Sequence, residues 1–122
     1  MSKYKDRFPA AYQQRVGQFP QHKFLHDNSK ELTSFLSKHK VISDNMNIFE
    51  IGSGGCRNLF YIWETNNNIN LFANDLHEKA SRKNMHEKIR NKVKFIEMDT
   101  LSMFRDPKED VMKEHVDLLL SG

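Results

Sequence analysis

Three acidic residues and a run of glycines carry most of the chemistry that can be read from this 122-residue chain. Glu50-Ile51-Gly52-Ser53-Gly54-Gly55-Cys56 closes a short apolar run that begins at Asn47. Asp75 stands 21 positions after Gly54, just past the apolar run Ile69–Ala73, and Asp99-Thr100 follows Val93–Met98. A strand that ends in glycines and leads into a helix makes a nucleotide site, because glycine turns sharply and lets a ligand reach backbone atoms that side chains would shield. A carboxylate at the end of the next strand can accept hydrogen bonds from both hydroxyls of a ribose.

The nucleotide is narrowed by what is missing. A dinucleotide fingerprint beginning at Gly52 needs glycine or alanine at position 57, where Arg57 stands, and no Gly-Lys-Ser/Thr tripeptide of a phosphate loop occurs anywhere in the chain. Glu50 would repel a pyrophosphate. A ligand with positive charge and no phosphate suits it better.

The elements that must position these residues follow from the apolar pattern. Strands are predicted at Asn47–Ile51, Ile69–Ala73, Val93–Met98 and Val116–Leu120. Leu59, Phe60, Ile62 and Trp63 mark a helical face after the glycines, ended by Asn66-Asn67-Asn68, and 77–90 reads as a polar helix. Phe60, Trp63 and Phe95 read as packing residues. Before the first strand, two helices are expected, one at Pro9–Phe19 and one from Asn28 or Ser29 to about His39, N-capped there and presenting Leu32, Phe35, Leu36 and His39 on one face. Strands alternating with helices argue for parallel βαβ units. The expected class is therefore α/β, with a helical leader at 1–46 and a sheet domain at 47–122 in one structural unit.

The segment Glu50–Cys56 resembles the acidic-x-Gly-x-Gly-x-Gly motif of class I S-adenosylmethionine-dependent methyltransferases, with Cys56 at the third glycine. Asp75-Leu76, Asp99-Thr100 and Val116–Gly122 resemble that family's next three motifs, in the family's order, so that the resemblance covers residues 47–122. It implies a Rossmann-like, mostly parallel sheet of strand order 3-2-1-4 and S-adenosylmethionine as cofactor, with S-adenosylhomocysteine as product. By that resemblance Glu50 lies near the methionine end, Gly52, Ser53 and Gly54 form the cofactor-binding loop, Asp75 holds the ribose, Leu76 packs on the adenine, Asp99 and Thr100 read the adenine edge, and Ser121 borders the methyl-transfer site. No catalytic base is nominated; in-line approach of acceptor and sulfonium is the main requirement of methyl transfer.

The family's sheet has seven strands and four can be placed here, which implies the amino-terminal, cofactor-binding half only. The apolar fourth strand would then lie at a sheet edge and is expected to pair with a second copy or a partner chain. The first functional reading is a methyltransferase acting on an unidentified small-molecule or macromolecular acceptor. The alternative is a truncated or split, non-catalytic module that binds the cofactor and needs a partner chain.

Charge supports a third, less favoured reading. Residues 1–40 hold eight Lys/Arg against three Asp/Glu, and the remainder eleven against thirteen, so the basic character belongs to the leader. Such a leader could meet nucleic acid, although no aromatic-basic motif stands there and a solvated helix face explains it as well. One cysteine, Cys56, allows no intrachain disulfide, and neither a signal-like nor a membrane-spanning apolar run occurs, so a cytoplasmic protein with no membrane partner is expected. His22 and His26 lack a third ligand, and no metal is expected.

Overall fold

The computed structural model describes residues 21–105 and 115–121. The helix expected at Pro9–Phe19 lies outside the described residues, as do the first 20 residues of the basic leader. The described chain runs α1 (Gln21–Lys38), β1 (Asn47–Ile51), α2 (Arg57–Thr65), β2 (Asn70–Asp75), α3 (Glu78–Asn84), β3 (Val93–Glu97), α4 (Thr100–Arg105) and β4 (Leu118–Ser121). All strand pairs are parallel and the order is β3-β2-β1-β4. This is the expected α/β, Rossmann-like topology: the chain winds from β1 out to β3, then returns past β1 to β4.

Ile48 and Glu50 point to one face of the sheet, Phe49 and Ile51 to the other. On the first face Ile48, Leu71, Ala73, Val93 and Leu120 pack with Leu36 of α1, Leu59 and Ile62 of α2, and Met85 and Ile89 beyond α3; Trp63 and Phe95 pack against this core. On the second face Phe49 and Phe72 meet Met103 of α4, flanked by Ile51, Ile96, Met98 and Val116.

Helix α1 begins well before the expected cap. Ser29 lies inside it, 4% exposed, donating its hydroxyl to the Leu25 carbonyl at 3.1 Å, while Thr33 donates to the Ser29 carbonyl at 2.8 Å. Hydroxyls satisfied four residues back can be buried in mid-helix, so the serine does not stop the helix. The buried face is accordingly Ser29, Thr33 and Leu36; Phe35 is 58% exposed, and its ring meets that of the exposed His39. The helix closes where Lys40 takes a left-handed φ of 53°, with Val41 N donating to Leu36 O and Lys40 N to Ser37 O. That is the Schellman pattern with lysine in the place glycine usually holds.

Helix α3 is half the expected length. Met85 is extended, at φ −73° and ψ 149°, and two arginines support the break: Arg82 donates to the carbonyls of Arg90 and Val93, Arg90 to those of Arg82 and Met85. The break lets Met85 and Ile89 both enter the core. β2 runs two residues further than expected, and β4 starts two residues later, since Asp117 closes the amino end of β1 through Asn47 instead of continuing the run. Among the described residues no helix is long and apolar enough to cross a membrane.

Candidate functional site at the carboxyl end of the sheet

The parallel topology sets the end of every strand on one rim. Ile51 and Ser121 are register partners at the point where the chain's winding direction reverses, Asn74 lies beside Ile51, and Asp75 beside Glu97. Such a switch point leaves a crevice outside the strand ends where ligands of open α/β sheets bind.

The loop at this point uses left-handed backbone at alternate positions. Gly52, Gly54 and Cys56 have φ of 61°, 54° and 58°. For Cys56 this conformation costs about 1–2 kcal/mol, and the cysteine bears it at the position of the motif's third glycine. Gly55 is needed for another reason: a Cβ there would stand 2.9 Å from the Asn84 carbonyl oxygen at the end of α3. Gly55→Ala is therefore expected to destabilise the fold by about 1–3 kcal/mol through overpacking, measured by urea denaturation; an unchanged midpoint would mean that α3 yields freely.

Hydrogen bonds lock the loop to β2. Ser53 donates from its backbone NH at 3.0 Å and from its hydroxyl at 3.3 Å to the Asn74 carbonyl, and Gly54 NH donates at 2.7 Å to Asp75 Oδ2. Asp75 Oδ1 accepts from the Leu76 NH at 2.7 Å. Asp75 thus holds the glycine loop, and a carboxylate has about four acceptor sites in all. Asp99 caps α4, its Oδ1 accepting from Leu101 NH at 3.0 Å. Thr100 turns its hydroxyl inward to Asn74 Oδ1 at 2.6 Å. Leu76 is half-buried, and Ser121 is exposed beside the loop.

Of the next two rim residues, Asn74 has no signal in the sequence, whereas Glu50 stands out there by its type. Asn74, fully buried, donates to the carbonyls of Ile96 and Met98 at 2.9 and 3.0 Å, so that β2, β3, α4 and the glycine loop all meet on this one residue. Glu50 is 1% exposed; Oε2 accepts from Asn58 Nδ2 at 2.7 Å, while Oε1 is buried without a hydrogen-bond partner among the described residues. Burial pushes its carboxyl up to about 7, opposed by the Asn58 hydrogen bond and the Arg57 charge.

Cys56 is fully buried, and burial pushes its thiol up to about 12 despite a hydrogen bond with Ser53. The folded protein is expected to resist iodoacetamide at pH 8, reacting only in denaturant. Labelling of native protein at the rate of a small thiol would show that the loop opens readily.

Among the described residues, two further cavities have none of Glu50, Asp75 and Asp99 in their walls. One of about 260 Å³ is walled by Trp63, Ile69, Leu71, Lys92 and Lys94. Another, of about 200 Å³, lies between α1, α2 and the turn after α3. Among the described residues no group of three or more His, Cys, Asp and Glu side chains gathers as a metal site would require.

Compared with protein-family models the chain matches none, and comparison with curated proteins gives no significant match.

Proposed function

We propose that the carboxyl rim of the sheet binds S-adenosylmethionine and that the chain is the cofactor-binding part of a methyltransferase. The observation that carries this reading is Glu50, a buried carboxylate with one oxygen unpartnered among the described residues, on the strand that leads into a loop left-handed at 52, 54 and 56. A buried carboxylate is costly unless something pairs with it, and a ligand with an ammonium and a sulfonium supplies that charge.

In this reading Glu50, Gly52, Ser53 and Gly54 receive the methionine end. Asp75, already fixed by two backbone NH groups, accepts from the ribose hydroxyls; Leu76 packs on the adenine, Asp99 accepts from its exocyclic amine, and the Thr100 NH meets the ring. Ser121 borders the place of transfer. The cofactor would supply an electrophilic methyl group to a nucleophilic oxygen, nitrogen or carbon of the acceptor, leaving S-adenosylhomocysteine.

Titration calorimetry with S-adenosylmethionine and S-adenosylhomocysteine, with NAD and ATP as controls, tests the proposal. Selective micromolar binding is expected. Binding of NAD or ATP with equal strength, or no binding at all, would defeat it. Asp75→Asn keeps an acceptor for Gly54 NH but loses the charge, and is expected to weaken cofactor binding by about 1–3 kcal/mol. Unchanged affinity in the folded variant would remove Asp75 from the site.

The β4 edge favours a second reading, a cofactor-binding module that functions only with a partner chain. Among the described residues β4 pairs with β1 alone, and Leu119 is 52% exposed. An uncovered apolar edge recruits strands, from a second copy or from another polypeptide. Homocysteine release with a panel of acceptors separates enzyme from module, and sedimentation equilibrium tests self-association.

A further inference from the structure

We infer that the cavity between α1, α2 and the turn after α3 is a binding site for a small aromatic carboxylate. The cavity adjoins the glycine loop at Gly55, and the inference stands whether or not that loop binds S-adenosylmethionine. Its walls include His26, Arg57, Phe60, Tyr61, Met85 and His86, and among the described residues no Asp or Glu lines it.

One side of the cavity is built to receive a planar ring. Phe60 and His86 lie stacked, ring centroids 4.0 Å apart and planes within 10° of parallel, and Tyr61 stands edge-on to Phe60 at 5.3 Å. The Tyr61 hydroxyl is fixed by a 2.8 Å hydrogen bond with His26 Nδ1. Met85, 2% exposed, completes an apolar floor.

The other requirement is an anion. Arg57 is half-buried, and its Nε is buried with no hydrogen-bond partner among the described residues, an unmet donor at the cavity wall. Glu50 acts on Arg57 only through its charge, its own hydrogen bond going to Asn58. His86 Nδ1 accepts from the Lys88 NH at 3.1 Å, which leaves the ring proton on Nε2 and makes His86 a donor in either charge state. Lys30 Nζ, 5.7 Å from the centre of the Tyr61 ring, adds positive charge. A carboxylate satisfies Arg57 with the bidentate geometry that guanidinium favours.

Size then limits the ligand. At about 200 Å³ the cavity is smaller than the roughly 300–1,000 Å³ of sites for drug-sized molecules, and it fits a single ring with its acidic group. A bare phosphate would leave the aromatic and methionine walls unused, and a neutral ring without an acceptor would leave Arg57 Nε unmet.

The test is ligand-observed saturation-transfer NMR on the full chain with benzoate, its neutral isostere benzamide, and inorganic phosphate. Benzoate is expected to bind at least about tenfold more tightly than benzamide, the equivalent of one charge-assisted hydrogen bond, and phosphate to displace it only weakly. Arg57→Gln should abolish that preference. His86→Ala, at an exposed position, should weaken benzoate without unfolding the chain, and serves if Arg57→Gln does not fold. Equal binding of benzoate and benzamide, absence of benzoate binding to folded protein, phosphate binding tighter than benzoate, or full affinity in a folded Arg57→Gln or His86→Ala variant would each overturn the assignment.

Discussion

Asn74→Leu is expected to lower the free energy of unfolding by about 3–5 kcal/mol, a large share of the roughly 5–15 kcal/mol that holds a typical domain together. The side chain is fully buried, and its removal strands three partners at once: the Ile96 and Met98 carbonyls and the Thr100 hydroxyl. Leucine is close enough in size to fill the space but offers none of the hydrogen bonds, and unmade buried hydrogen bonds cost more than made ones contribute. The Asn74 backbone carbonyl also receives Ser53, so that displacement of this strand end would propagate to the glycine loop. Thr100→Val, which removes one bond only, should cost about 1 kcal/mol. Urea denaturation of both variants decides the matter: a loss below about 1 kcal/mol in Asn74→Leu would show that the rim is held by its backbone ladder and not by this amide.

The second large effect has the opposite sign. Glu50→Gln is expected to stabilise the unliganded protein above pH 7, by up to about 3 kcal/mol, since each unit of displacement in a pKa corresponds to about 1.4 kcal/mol. The carboxyl titrates near 4.5 in the unfolded chain and near 7 in the fold, raised chiefly by burial. Below pH 4.5 both states hold the proton and the group contributes nothing to the pH dependence. As pH rises from there the unfolded chain releases its proton while the folded chain keeps it, so stability falls until the folded group ionises near 7 and is level beyond. Glutamine, which cannot ionise, removes this decline. The difference between wild type and variant, followed by denaturation from pH 4 to 9, should therefore grow with pH and then level; a constant difference would mean that Glu50 is ionised throughout. If the rim binds a cationic cofactor, the same titration runs in reverse for affinity. Binding should tighten as pH rises through 7, with proton release, and Glu50→Gln should lose it.

How far the chain can be read without its structure depends on where the deciding contacts lie. β1 has the expected bounds, Asn47–Ile51, because its limit is local: glycines follow it directly. The parallel pairing also follows from a local cue, strands alternating with helices, whereas the 3-2-1-4 order is implied by the family resemblance and not by any local pattern. β2 extends through Asn74 and Asp75 because polar side chains at its end are satisfied across the sheet, by β3 and by the glycine loop, which no periodicity reveals. The short α3 has the same cause, since its break depends on Arg82 and Arg90 reaching carbonyls elsewhere in the chain. At the rim, the glycine turn, Asp75 and Asp99 stood out by type and position. Asn74 and the Arg57–His86 cavity did not, since an asparagine between alanine and aspartate, or an arginine opening a helix, has no distinguishing pattern until distant segments meet it.

The position of β4 bears on how the molecule is made. Asn47 receives its contacts from Asp117, 70 positions later. While the chain emerges from the ribosome, β1, β2 and β3 can pair as soon as they are out, but the other edge of β1 must wait for β4. At about 5–20 residues per second, the wait is roughly 4–14 s. Over that interval the nascent protein displays Ile48 and Phe49 beside an unsatisfied row of backbone groups, an invitation to chaperones and to neighbouring nascent chains alike.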